Sequence, residues 1–396
     1  MLKNMIIKNF RSIESVENMA LGRLTVLYGP TASGKSSLLY APLVLRNFII
    51  NPNRQADGLF HLGFMDLGGY DACVFNHESG RSITVSVTHE NNNVNLFFGL
   101  TFSKSAGIIN LKVDSLDMQA KVTIPYPVNL TVALLYKEGE EEYNINWNGI
   151  LCSVVPKKPT AETQQKALAI ATQINSATEF IKGFDIAPHK RGFFKPVYTP
   201  VAVSPIPTTE DEVASIIIND PNMAGRISTY IEEIFGRDFR THIPPGTASV
   251  YFKTTDKKSR TPVDLVNDGF GVNQCTYLFA KMIRSDVHTI FIEEPEVHLH
   301  PSVIRRFVQA MLNFIREEGK QIIFTTHNEQ LLISLLTFIS EGIASPEDIK
   351  CYLVTKDKRI TRIQEQKVQK NGQIEGGLSS FIEAEVKDLM KFLGIK

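Results

Sequence analysis

The chain has 396 residues, and its 42 Lys and Arg are balanced by 42 Asp and Glu. Neutrality removes any global basic field that would steer the molecule onto nucleic acid and leaves only local patches for that role. At 43% hydrophobic and 21% charged, the composition is that of an ordinary globular protein, long enough for one domain with insertions or for two.

Met1 to Phe10 lacks the apolar core of a secretory leader, and no run reaches the roughly 18 apolar residues of a membrane span. No membrane partner is therefore expected. Cys73, Cys152, Cys275 and Cys351 lie far apart without a C-x-x-C pair. That argues against a zinc site, a zinc-hook dimeriser or a disulfide framework, and fits a reducing cytoplasm.

Leu24 to Tyr28 reads as a buried strand, and Ser37-Leu38-Leu39 as the start of a helix. Between them Gly29, Pro30, Thr31, Ala32, Ser33, Gly34, Lys35 and Ser36 have the form G-x-x-x-x-G-K-[ST], a P-loop. The glycines let backbone N–H groups turn inward around the phosphates of a nucleoside triphosphate, and the helix N-terminus adds a positive dipole end. Lys35 is expected to reach the β- and γ-phosphates and Ser36 to ligate Mg²⁺. Pro42 is expected to bend or end the helix after about two turns.

Ser82 to His89 alternates as a strand. Leu96 to Phe102, Ile108 to Val113, Asn129 to Leu135 and Tyr143 to Trp147 alternate too, separated by turn-formers, and predict an antiparallel β-layer. Ala161 to Phe180 reads as one helix, with Leu168, Ala171, Ile174 and Phe180 on one face. Residues 186–208 are Pro-rich and predict an extended crossing segment. Within it, Ala187 to Phe194 carries His189, Lys190 and Arg191, readable as a basic surface loop.

Val266 to Gln274 is a Gly-rich turn opening an apolar helix, with Asn267 or Asp268 as its N-cap. Thr289 to Ile292 is a buried strand that runs into Glu293-Glu294-Pro295, the form of a Walker B motif. Glu293 would hold Mg²⁺ and Glu294 would act as the general base on the attacking water. Two adjacent acids at a buried strand end repel each other unless a cation is near. Gln321 to Thr326 is another buried strand, ending at His327, where open α/β sheets bind ligands. An imidazole there could hydrogen-bond the γ-phosphate or the attacking water. Val303, Phe307, Met311 and Phe314 recur at helical spacing as a core stripe. Lys350 to Val354 and Arg359 to Ile363 predict a strand pair, and Phe381, Val386, Leu389 and Leu393 an amphipathic helix.

In this order the pieces resemble the ABC-type ATPases, and more narrowly their RecF/SMC/OLD-like branch. Ile7 to Ile13 (IKNFRSI) looks like the N-F-[RK]-S strand that opens these heads; Glu293 to Pro301 (EEPEVHLHP) looks like their E-E-P-E-x-x-L-H-P box; Thr325 to Asn328 looks like their T-T-H-[NS] switch. The resemblance implies an α/β P-loop NTPase with an ABC/SMC-head-like sheet, an additional antiparallel β-layer and an inserted, mainly helical segment. It implies ATP and Mg²⁺ as cofactors and catalytic roles for Lys35, Glu294 and His327. It adds Arg11 and Ser37 to the nucleotide-binding residues of the P-loop. It implies that Asn267, Asp268 and Gly269 form a signature segment that reaches the γ-phosphate of a partner's ATP across a head-to-tail homodimer. Transporters carry S-G-G there, so no serine hydroxyl is available at that place. Ala187 to Phe194 loosely resembles the P-x-[RK]-x-x-P segment of OLD-like ATPases. Phe64 to Asp71 occupies the Q-loop region and supplies no glutamine.

The expected organisation is a first half of the ATPase head in residues 1–90, a β-layer with a helical and Pro-rich insertion in 91–210, the second half of the head in 211–345, and a C-terminal strand pair and helix in 346–396. No sustained heptads occur, which excludes a long coiled-coil arm. Roughly 70 residues follow His327, too few for an appended Toprim nuclease domain. The expected function is an ATP-hydrolysing switch that passes its nucleotide state to an effector protein or to nucleic acid, in a defence, toxin–antitoxin or DNA-repair setting. The alternatives are direct nucleic-acid binding regulated by ATP, through basic stretches such as Lys253 to Arg260, and, less favoured, a transporter ATPase subunit.

Overall fold

The computed structural model describes residues 1–91 and 94–375. The expected amphipathic helix around Phe381, Val386, Leu389 and Leu393 lies outside the described residues. The chain begins with β1 (Leu2–Phe10), β2 (Ile13–Ala20), β3 (Leu24–Tyr28), α1 (Lys35–Ile50), α2 (Gly69–Cys73) and β4 (Ile83–Asn91). Then come β5 (Val94–Phe102), β6 (Ala106–Val113), β7 (Met118–Pro125), β8 (Val132–Glu138), β9 (Glu141–Trp147), β10 (Cys152–Pro156), α3 (Ala161–Lys182) and β11 (Phe184–Ala187). After a crossing segment follow α4 (Glu210–Asn219), α5 (Met223–Phe235), β12 (Arg237–His242), β13 (Tyr251–Asp256), β14 (Pro262–Asp264) and α6 (Phe270–Ile283). The last described elements are β15 (Thr289–Glu293), α7 (Pro301–Glu318), β16 (Gln321–Thr326), α8 (Glu329–Ser340), β17 (Ile349–Asp357) and β18 (Ile360–Gln366).

Two compact units result. The first comprises residues 1–21, 36–184 and 356–362. Its main sheet has the order β2-β1-β4-β5-β6-β7, antiparallel throughout. Two of the four expected strands of the β-layer, near Leu96–Phe102 and Ile108–Val113, thus continue a sheet begun by the opening strands, while those near Asn129–Leu135 and Tyr143–Trp147 fall in a second sheet. A smaller antiparallel sheet, β10-β9-β8, packs against α3. Helix α3 buries Ala167, Ile170, Ile174, Ala177, Thr178 and Ile181, a spacing of three and four that defines one face. Leu168 does not belong to that face; it is 69% exposed, because a residue one position from Ala167 points about 100° away. Helix α1 does not end at Pro42 but continues to Ile50. Every residue from Leu38 to Ile49 is buried, and packing on that scale outweighs the roughly 3 kcal/mol that an interior proline costs.

The second unit comprises residues 22–35, 185–355 and the described residues from 363 onward. Its sheet has the order β11-β15-β16-β3-β17-β18. Strands β3 (LTVLY), β15 (TIFIE) and β16 (QIIFTT) are buried at every position. Such unbroken runs suit central parallel strands, which are covered on both faces. The register is parallel, with Glu293 opposite Thr325, Thr326 opposite Tyr28, and Leu353 of β17 also opposite Tyr28. The three segments that follow β3, β15 and β16 therefore leave the sheet at one edge. Helix α7 buries Ile304, Phe307, Val308, Met311, Phe314 and Ile315.

A buried ionic triad braces this unit. Asp185, near the start of β11, takes Lys281 Nζ at 3.0 Å and Arg284 Nη1 at 2.9 Å, and both Asp185 and Lys281 are fully buried. Lys281 also donates to Pro207 O at 2.7 Å, tying α6 to the crossing segment. Asp185→Ala takes the carboxylate away from a buried ammonium, and we expect a loss of about 3–5 kcal/mol in chemical denaturation. The double change Asp185→Leu with Lys281→Met should recover most of it.

Candidate nucleotide site

The P-loop leaves β3 at Gly29, whose φ of 144° lies in the region that favours glycine. A Cβ there would stand 2.1 Å from Val354 O of the neighbouring β17. Ala32 (φ 62°) and Gly34 (φ 104°) complete the turn into α1. Lys35 folds back on the loop and donates to Gly29 O at 2.9 Å and Pro30 O at 2.8 Å. Burial pushes its pKa down, while the negative charges of Glu294 and Glu296 push it up. Ser33 is buried, and Ser36 and Ser37 begin α1 beside Lys35.

The acids stand at the end of β15. Glu293 is buried, and its Oε2 accepts the His189 N–H at 3.2 Å. Glu294 has φ 44°, a conformation that costs a non-glycine residue on the order of 1–3 kcal/mol. Its N–H donates to Thr325 O at 3.0 Å. Its carboxylate, 24% exposed, lies between two imidazoles: Oε1 is 3.0 Å from His327 Nδ1 and Oε2 is 3.4 Å from His189 Nδ1. The predicted base and the predicted switch histidine are thus in direct contact.

Two residues of the crossing segment and one of the Walker B loop join the site without having been singled out from sequence as site residues. Arg191, readable as part of a basic surface loop, is instead buried, with its guanidinium on the main chain of Glu293 and Glu294. His189 stands beside Glu294, as above. Only the loose resemblance of Ala187 to Phe194 to a family segment pointed to this loop. Glu296 is the third; its Oε1 accepts from Thr326 Oγ1 at 2.6 Å, while its buried Oε2 has no hydrogen-bond partner among the described residues.

The signature segment differs from its expected capping. The N-cap of α6 is Gly269 (φ 88°), with no side-chain capping bond. Asp268 turns inward instead, pairing with Arg237 at 2.9 Å and accepting from Thr254 Oγ1. A carboxylate already held by a cation and a hydroxyl is better satisfied there than on one helix N–H. Asn267 and Gly269 are exposed, and among the described residues no hydrogen bond joins any of the three to the P-loop of its own chain. Arg11 lies in the other unit, in the turn after β1, with its guanidinium 5.8 Å from the centre of the Tyr40 ring. Of the basic stretches, Lys253 and Lys257 pair with Asp264 and Glu232, which offsets their charge locally.

Comparison with known structures fits this geometry. An SMC head bound to the C-terminal winged-helix domain of ScpA aligns with a TM-score of 0.51 at 10% identity, over 93% of this chain and 98% of that one. The chain has the SMC-head fold. The SMC head domain from Thermotoga maritima aligns with a TM-score of 0.44 at 13% identity, over 92% of this chain and 98% of that one. A Pyrococcus furiosus Smc head with an extended coiled coil, bound to the C-terminal domain of ScpA, aligns at 0.45 and 9% identity over 99% of both chains. Residues 164–334 match the family described as "AAA domain, putative AbiEii toxin, Type IV TA system". That stretch holds the crossing segment, the signature helix, Walker B and His327, and leaves out the P-loop. No curated protein matches the sequence. Among the described residues, no helix is long and apolar enough to cross a membrane.

Burial raises the Glu296 carboxyl above the usual glutamate range. The folded state therefore holds this proton more tightly than the unfolded chain. Its stabilising contribution is complete below the unfolded value of 4.5 and is lost as pH rises through the raised one. Glu296→Gln keeps an acceptor for Thr326 and cannot ionise. In nucleotide-free protein we expect it to melt higher than wild type at about pH 8, with the difference shrinking towards about pH 5.

Proposed function

We propose that this chain is an ATP-hydrolysing switch in which two copies close head to tail over two ATP molecules. The observation that carries the reading is the meeting of the P-loop, Glu293, Glu294 and His327 at one edge of a parallel sheet, with Glu294 and His327 3.0 Å apart. Lys35 would exchange the carbonyls of Gly29 and Pro30 for the β- and γ-phosphates, and the main-chain N–H groups from Thr31 to Ser37 would surround them. Ser36 and Glu293 carry oxygen donors of the kind Mg²⁺ takes, and would be the residues to hold it; the ion, when bound, offsets phosphate charge. Glu294 accepts the proton of the attacking water, and His327 orients that carboxylate and reads the γ-phosphate. Asn267 and the N-terminus of α6 would meet the partner's γ-phosphate, an anion at a helix N-terminus. Asp268, turned inward, would shape that turn rather than touch phosphate.

Closure that depends on γ-phosphate contacts is released by hydrolysis, and the motion is the signal. The match to a family described by a toxin–antitoxin system supports an effector protein acting in trans as the recipient of that signal. SMC heads bound to ScpA show the same fold carrying a protein partner.

Glu294→Gln should bind Mg²⁺-ATP within a few-fold of wild type, turn it over at least about 100-fold more slowly, and accumulate as a dimer in size-exclusion chromatography with ATP. Lys35→Ala should lose ATP binding. Wild-type turnover in Glu294→Gln would remove the general-base assignment.

A further inference from the structure

We propose that Arg191 is the positioning residue of the Glu294 carboxylate: its buried guanidinium holds the main chain of residue 294 in the turn that aims the base. This rests on the general-base reading above and adds to it a residue of the crossing segment.

Arg191 Nη1 donates to Pro188 O at 2.9 Å and to Glu293 O at 2.6 Å, and Nη2 donates to Glu294 O at 2.7 Å. Successive carbonyls in a strand point to opposite sides. Those of Glu293 and Glu294 converge on one guanidinium because Glu294 has left the strand at φ 44°. The planar fork of arginine matches two adjacent carbonyls; an ammonium is a point charge and does not. No carboxylate forms an ion pair with Arg191 among the described residues, so its hydrogen bonds are spent on main-chain carbonyls. Burial works against its charge, and the nearby Glu293 and Glu296 favour it. A residue that only filled space here would be apolar, since a buried cation is costly.

The loop that presents Arg191 is itself fixed. Gly192 has φ 135°, and a Cβ there would lie 3.0 Å from Asn273 Oδ1. Asn273 takes both main-chain groups of Phe193, each at 2.7 Å. Glu293 is held by its ladder pairing with Thr325, so loss of the fork falls on Glu294, the first residue beyond the strand.

The test uses the full chain with Arg191→Lys and Arg191→Gln, each alone and combined with Glu294→Gln. Mg²⁺-ATP affinity is measured first, because an unfolded variant binds none. We expect affinity within about threefold of wild type, kcat about 10- to 100-fold lower, and the lysine variant faster than the glutamine variant. In the Glu294→Gln background we expect no further loss, because Arg191 acts through that side chain. An unchanged kcat in the single variants, or an equal loss with and without Glu294, would overturn the role of Arg191. Wild-type turnover in Glu294→Gln alone would overturn the base assignment on which it rests. If the lysine variant does not bind ATP, the glutamine variant, which carries no buried charge, supplies the same comparison.

Discussion

Everything at the candidate site depends on the parallel pairing of β15, β16, β3 and β17. Parallel strands in register send their C-terminal ends to the same edge, so three segments far apart in the chain must emerge together. Glu293 lies opposite Thr325, and Thr326 opposite Tyr28, which puts the acids, the switch histidine and the P-loop within one residue step of a common line. A slip of one residue would turn each side chain to the other face and dismantle the arrangement. The apolar runs of these strands are therefore as necessary to the chemistry as the polar residues that follow them.

That edge carries a charge problem. Glu293, Glu294 and Glu296 fall within four positions, two of them buried. The acids are met there by imidazoles, a hydroxyl and a main-chain N–H. Glu294 is shared between His189 and His327, Glu296 takes the Thr326 hydroxyl, and Glu293 takes a main-chain N–H. Arg191 and Lys35 lie nearby but spend their hydrogen bonds on carbonyls.

The crossing segment is the brace of the second unit. Just before it, in β11, Asp185 holds Lys281 and Arg284 at the far end of α6. A few residues on, Arg191 holds the end of β15, and Phe193 holds Asn273 near the beginning of α6. The signature helix and the Walker B turn are thus tied to one stretch of chain at three points. Tight packing and paired buried polar groups make such a link stiff.

The local elements of this protein were legible in its sequence because they are written in local patterns. Continuous apolar runs marked β3, β15 and β16, glycine spacing marked the phosphate loop, and the acids after Ile292 and the histidine after Thr326 marked the strand ends. Motif order pointed to the head fold. What the sequence could not determine was how individual polar side chains divide between solvent and interior. Arg191 reads as surface charge, Leu168 as core and Asp268 as a helix cap, and each is otherwise. Burial is a property of what the rest of the chain places around a residue, and a guanidinium can be buried only where carbonyls from distant positions converge on it. Those carbonyls belong to residues more than 100 positions away, so only the tertiary structure decided that the crossing segment and the Walker B strand form one site.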